Sequence, residues 1–291
     1  MKRSDPFMRA SLQAEEVIRE HGISTFPVDP IGIVRDRDIE VVAKAAKAKG
    51  VSGMLLRVGN SYGIAYATDI NNAGFGRFSI AHELGHFFLP GHIDAVLHDR
   101  DIHESHAGFG SGDRYELEAD HFAAALLMPR QMFSAALRRA GDGVAAVKQL
   151  AGICKTSLTA TAIRLSQCAS DPVAIIVSTG GNIDYCFMSD ALKEWHGIDW
   201  IRKRHAVPRA SLSFAFNCDP EKVRRAERIE GGSDLETWFG GPRSIELCED
   251  VIGLGSYGKT LTVLHGIEFP DHQNEDEDEA LTEAWTPRFR R

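Results

Sequence analysis

The sequence predicts an α+β protein in which a helix-rich half is followed by a half of alternating strands and helices. Three observations carry that expectation. Apolar residues recur at helical spacing over most of residues 77–167. After about residue 169, short β-branched runs separated by glycines replace that pattern. The composition, 43% apolar and 25% charged in 291 residues, is that of a chain able to bury a real core, in two domains or one large one.

The elements follow in order. Residues 11–21 fit an amphipathic helix ended by Gly22, and Phe26-Pro27-Val28-Asp29-Pro30 is extended because a proline steers the residue before it out of the helical region. A second helix fits residues 38–49, stopping at Gly50. Residues 53–58 and 62–67 flank Gly59-Asn60-Ser61 and read as strand, turn and strand, a hairpin suited to lie beside an active site. Helices dominate residues 77–167, apart from a loop rich in His, Gly and Asp between Leu89 and Asp113. Residues 145–165 resemble a helix-turn-helix, turning near Cys154-Lys155-Thr156-Ser157. Only Lys148, Lys155 and Arg164 are basic there, so a structural helical pair is favoured over a DNA reader. Residues 173–177 and 183–187 fit a hairpin around Gly180-Gly181. A strand near 213–216, a helix over 220–229, and strands near 245–249 and 260–264 complete the second half. No internal repeat is present.

The formal charge is −8, from 33 basic and 41 acidic residues. Seven of the acids, Asp271, Glu275, Asp276, Glu277, Asp278, Glu279 and Glu283, crowd into residues 271–283, and the rest of the chain sums to −1. Such a body lacks the overall basic field of a non-specific nucleic-acid binder. The acidic run reads as a disordered tail. The five cysteines, Cys154, Cys168, Cys186, Cys218 and Cys248, are widely spaced without a CxxC pair, which fits reduced thiols in the cytoplasm. Neither a leader-like segment at the start nor an apolar run of membrane-spanning length is visible.

The strongest chemical signal is His82-Glu83-Leu84-Gly85-His86. Two histidines four residues apart share one helix face, so both imidazoles can reach one metal ion while Glu83 sits beside them. Phe78, Ile80, Ala81, Leu84, Phe87 and Phe88 supply apolar faces for a buried helix, where Glu83 needs partners that a metal provides. A catalytic zinc takes a third protein ligand. His92 stands at the metzincin spacing, although Leu89 replaces that pattern's glycine. Glu116, with Asp120 four residues on, is the competing candidate, a gluzincin-like ExxxD pair that would let Glu116 bind the metal and Asp120 orient a ligand histidine. Glu118 points to a different face, and Asp113 with Glu116 also has capping-box spacing. Tyr115, Arg114, His98, His103 and His106 are candidates for stabilising an oxyanion, though solvent-facing loop positions are the ordinary expectation for the last three.

Residues 77–86 and the run Tyr115-Glu116-Leu117-Glu118-Ala119-Asp120 through Leu126-Leu127-Met128-Pro129 resemble the ImmA/IrrE zinc peptidases, bacterial regulatory proteases. Aligning the Leu-Leu-Met-Pro ending puts the family's third Zn2+ ligand on Glu116. The resemblance then implies His82 and His86 as the other ligands and Glu83 as catalytic base. It further implies a gluzincin-like peptidase domain at 1–140, a helix-turn-helix-like extension at 141–169 and a GAF-like sensor domain at 170–270, before the tail at 271–291. The implied activity is site-specific cleavage of a helix-turn-helix transcriptional repressor, derepressing stress, DNA-damage, mobile-element or phage-defence genes. The implied activating ligand is a nucleic acid, for which Arg202, Lys203, Arg204, His205, Arg209, Lys222, Arg224, Arg225 and Arg228 are basic candidates, or a small molecule; a solvated face is their ordinary explanation. The rival reading is a non-catalytic regulator, stabilised by its metal, that binds a repressor or DNA.

Overall fold

A computed structural model of the chain describes residues 6–44, 51–68, 73–98, 100–105, 113–241 and 245–269. The expected acidic tail and His106 lie outside these residues. Helix α1 (Pro6–Glu20) buries Ala10, Ala14, Val17 and Ile18, a single face at helical spacing. Helix α2 (Pro30–Arg35) starts where Asp29 accepts a hydrogen bond from the Ile31 N–H at 3.0 Å, with Pro30 at the first position, where no donor is needed.

The helix expected over residues 38–49 is instead strand β1 (Glu40–Lys44), with residues 45–50 outside the described set. Ala and Lys favour helix locally, but Val41 and Val42 pair in parallel with Ile64 and Ala65 of a neighbouring strand. Sheet pairing wins over weak propensity. Strands β2 (Gly53–Val58) and β3 (Ser61–Ala67) form the expected hairpin, with Gly59 at φ +59° in the turn. Helix α3 (Ala73–Phe88) follows. The Pro90-Gly91 turn, with Gly91 at φ +80°, leads into the short helix α4 (His92–Val96). Strand β4 (Ile102–Ser105) then returns to the sheet edge, giving the order β1-β3-β2-β4.

Helix α5 (Arg114–Leu127) packs between α1 and α3. After α6 (Arg130–Leu137), the expected helical pair is α7 (Gly143–Cys154) and α8 (Leu158–Cys168). Lys155 in the left-handed region at φ +56° ends the first, and the Ser157 hydroxyl caps the second by accepting from the Ala160 N–H. Arg164 is buried, donating from Nε to the Met128 carbonyl at 2.8 Å, so it anchors the end of α5 and faces no solvent ligand.

The second half holds the antiparallel sheet β6-β5-β9-β8-β7. Strands β5 (Ala174–Thr179) and β6 (Asn182–Met188) are the expected hairpin, and α9 (Asp190–Lys193) follows it. The strand expected at 213–216 is a helix, α10 (Leu212–Asn217), because Ser211 accepts from the Phe214 N–H and nucleates the first turn. The helix expected over 220–229 divides. Helix α11 (Pro220–Arg224) stops, Ala226 turns the chain at φ +54°, and β7 (Arg228–Asp234) pairs with β8 (Glu246–Gly253). Helix α12 (Leu235–Phe239) lies between them in sequence, and β9 (Thr260–His265) closes the sheet.

One sheet face, with Ile175, Val177, Leu261 and Val263, shares a continuous apolar cluster with Val144, Val147 and Leu150 of α7 and with Leu84 and Phe122 of α3 and α5. The opposite face packs on Leu235, Trp238 and Phe239. Gly143 marks the junction: at φ +61°, a Cβ there would stand 2.5 Å from Asp250 Oδ2 and 2.8 Å from His265 Nε2. Asp250 also accepts from the Val144 N–H at 2.6 Å, fastening β8 to the start of α7.

Candidate metal centre

The site is built where α3 crosses α5. A Cβ added to Gly85 would lie 3.0 Å from the Ala119 Cα, so the glycine allows the two helix backbones to approach closely. His82 and His86 project from α3, and Glu116 and Asp120 bracket Ala119 on α5. One ligand atom from each of His82, His86 and Glu116 lies within 4.8 Å of the others, and all three side chains are buried. The Nε2 atoms of His82 and His86 are 3.1 Å apart, and Glu116 stands 3.5 Å from the first and 3.2 Å from the second. Ligand atoms about 2.0–2.1 Å from a tetrahedral zinc are roughly 3.3 Å from one another, so the spacing fits a single small ion.

Polar atoms without partners support the same fit. Both Glu83 oxygens and Glu116 Oε2 are buried without a hydrogen bond, an arrangement that costs free energy unless a cation or bound water meets them. Strand β2 presses on Glu83, since a Cβ on Gly53 would lie 2.5 Å from its Oε1. Burial raises the Glu83 carboxyl to about 7 against the opposing charge of His82; the Ser105 hydroxyl is near enough to favour the anion without making a well-formed hydrogen bond. Burial, the largest influence, disfavours the charged form of Glu116, yet the hydrogen bond to His103 and the close imidazoles of His82 and His86 outweigh it and hold the acid well below its usual range. Of the coupled histidines, burial lowers both, but Asp120 and Glu116 raise His82 above its ordinary value while His86 falls below it.

Asp120 accepts from His82 Nδ1 at 2.8 Å, which leaves Nε2 to face the other ligand atoms. Asp113 caps α5 through the Tyr115 N–H, as its spacing predicted, while the Glu116 carboxylate turns to the histidines. His92 stands behind His86, with their Nδ1 atoms 3.2 Å apart, and is bound on its far side to Glu118, which pairs with Arg114. Neither His92 nor Glu118 enters the ligand cluster. His103 departs from the solvent-facing expectation: its Nε2 lies 2.9 Å from Glu116 Oε1 and its ring stacks edge-on with His86. His98 is exposed, and Tyr115 is half-exposed against His92. A cleft of about 630 Å³ between α4 and β4, lined by Ala95, His98, Arg100, Ile102 and His103, opens beside this group. Gly53 and Ser105 are neighbours of Glu83 that sequence reasoning missed; the only signal was a glycine at the start of a strand, which often marks close approach.

The model of the IrrE N-terminal-like domain, Peptidase M78, matches residues 34–166. The radiation response metalloprotease IrrE of Deinococcus radiodurans is 31% identical over 105 residues, covering 36% of this chain and 31% of that protein. The chain thus matches about a third of the length of this curated relative. A solved structure, a Mycobacterium tuberculosis transcriptional regulator, superposes with a TM-score of 0.59 at 16% identity, covering 88% of this chain and 75% of that one, a likeness of fold alone. The span matched by the family model contains α3, the turn to His92 and α5, and it is through this part that the chain is similar to the ImmA/IrrE family.

Proposed function

We propose that the chain is a zinc-dependent, site-specific endopeptidase whose substrate is a helix-turn-helix transcriptional repressor, and that cleavage derepresses stress, DNA-damage or phage-defence genes. The observation that carries the catalytic reading is Glu83, fully buried with both oxygens unpartnered beside three converging ligand atoms. His82, His86 and Glu116 would hold the zinc, which supplies an acidified water and a Lewis acid for the scissile carbonyl. Glu83, with its carboxyl raised to about 7, accepts a proton at a carboxylate oxygen and passes it to the leaving amine. Asp120 fixes the tautomer of His82 by accepting at Nδ1. His103, 2.9 Å from Glu116 and beside the cleft, is the imidazole we assign to the developing oxyanion.

The repressor substrate rests on the likeness to that family. The division into a gluzincin-like peptidase domain at 1–140, a helical extension at 141–169 and a GAF-like sensor at 170–270 belongs to the same reading, as does action in the cytoplasm. An activating nucleic acid or small molecule would meet the second half, where Arg202, Lys203, Arg204 and Arg209 are exposed. No membrane partner is invoked, and among the described residues no helix is long and apolar enough to cross one.

A specific observation favours the non-catalytic reading: the side chains of His82 and His86 are fully buried, as suits a structural metal. Glu83→Gln separates the two. On incubation with zinc and a small helix-turn-helix protein encoded nearby, the wild type should cut the repressor at one site. The variant should keep its metal and lose cleavage. Undiminished processing by the variant rejects the assigned base, and repressor inhibition without cleavage by both proteins establishes the non-catalytic reading.

A further inference from the structure

We infer that Glu230, Cys248 and His265 form a second cation site, for a borderline divalent ion such as zinc, on the sheet face that packs against α7. The three lie on adjacent strands β7, β8 and β9, with one ligand atom from each within 4.8 Å of the others. The register explains the convergence. Cys248 pairs directly with His265 across β8 and β9, and with Gly232 across β7 and β8. Gly232 has no side chain and open space beside it, so Glu230, two residues away on the same strand face, leans over Cys248. The Cys248 Sγ lies 3.5 Å from Glu230 Oε1.

Donor chemistry selects the ion. One imidazole, one sulfur and one carboxylate suit zinc or cobalt, whereas magnesium and calcium want oxygen alone. Three protein ligands leave a fourth position for water. The 3.5 Å between Cys248 Sγ and Glu230 Oε1 already suits a sulfur and an oxygen on one zinc, and the exposed Glu230 provides the entry path. His265 contributes an unmet need: its Nε2 is buried without a hydrogen bond beside Gly143. A buried ring nitrogen of that kind is costly, and coordination through Nε2 would relieve it.

The local charge permits a cation. Arg228 spans Asp250 and Glu230, binding Asp250 Oδ1 and Oδ2 and Glu230 Oε2 at 2.7 Å each, and so leaves Glu230 Oε1 to the cysteine side. Two carboxylates against one guanidinium leave a net negative charge before sulfur ionises. Burial, with Glu230 and Asp250 nearby, raises the thiol to about 11, so binding the ion displaces the Cys248 proton to solvent. This site lies at the junction of β8, β9 and the start of α7, apart from the His82 cluster and independent of its chemistry.

Cobalt substitution tests the inference, because the His82, His86 and Glu116 set contains no sulfur. The metal-free full chain titrated with Co2+ should bind two equivalents, one of them producing a near-ultraviolet thiolate-to-cobalt band. Cys248→Ser should bind one equivalent and show no band. Glu230→Gln should keep the band with at least about tenfold weaker affinity, in line with loss of a ligand contact. A wild type that binds a single equivalent without the band, or a band that persists in Cys248→Ser, overturns the site. Should the serine variant fail to fold, unchanged affinity in Glu230→Gln, altered at an exposed side chain, overturns it equally. Failure at the His82 cluster would remove the bandless equivalent instead and leave this readout intact.

Discussion

At the scale of single residues, the site depends on side chains that orient others. Asp120 touches no reacting atom, yet it holds His82 by its second ring nitrogen. Asp120→Ala should weaken zinc binding by about 10–100-fold, read by chelator competition, with cleavage regained at saturating zinc. His92→Ala should retain stoichiometric metal while Glu116→Ala loses it; loss in the first with retention in the second would transfer the ligand role to His92. Gly85→Ala places a methyl 3.0 Å from the Ala119 Cα and should destabilise the fold by about 1–3 kcal/mol in denaturant melts. The HExxH and ExxxD spacings were legible because helix periodicity alone sets which side chains share a face. The pressure of Gly53 on Glu83 was not, since it exists only once β2 is laid across α3.

Among elements, the hairpins and the α7–α8 pair were legible from glycine turns and helical apolar spacing, and the failures have physical causes. Residues 40–44 form a strand because β3 offers a partner distant in sequence. Residues 212–217 alternate in a strand-like way, but the Ser211 cap decides for helix. Arg164, read in sequence as one of few basic groups on a helix-turn-helix, works instead as a clamp on Met128. Arg164→Ala should cost about 1.5–3 kcal/mol, the range for a hydrogen bond from a charged donor, and lower zinc affinity by loosening α5. In the second half, Lys259 and Thr179 bind Asp184 and hold its carboxyl below the ordinary value of 3.8, although burial opposes them. A depressed carboxyl stabilises the fold above its unfolded pKa and loses that contribution as pH falls. Asp184→Asn should therefore cost less than about 1 kcal/mol at pH 7, because the pair is partly solvated. The difference from wild type should shrink below pH 3.8 in acid titrations followed by circular dichroism.

Over the whole molecule, the apolar cluster runs without a break from α3 and α5 through α7 into one face of the five-stranded sheet. Residues 6–169 alone would uncover Val144, Val147 and Leu150. That fragment should melt at a lower temperature than the full chain and bind a hydrophobic dye. Zinc at about a thousandfold above its dissociation constant should stabilise the full chain by about 4 kcal/mol, a shift that chelation reverses. The joint between the halves has no clearance: Gly143 presents a hydrogen where another residue would drive carbon into Asp250 and His265. The halves are therefore not interchangeable cassettes. A chimera that grafts a different sheet domain after α8 inherits a geometric contract, in which position 143 stays glycine for its left-handed backbone and the strands opposite must leave the start of α7 its close approach.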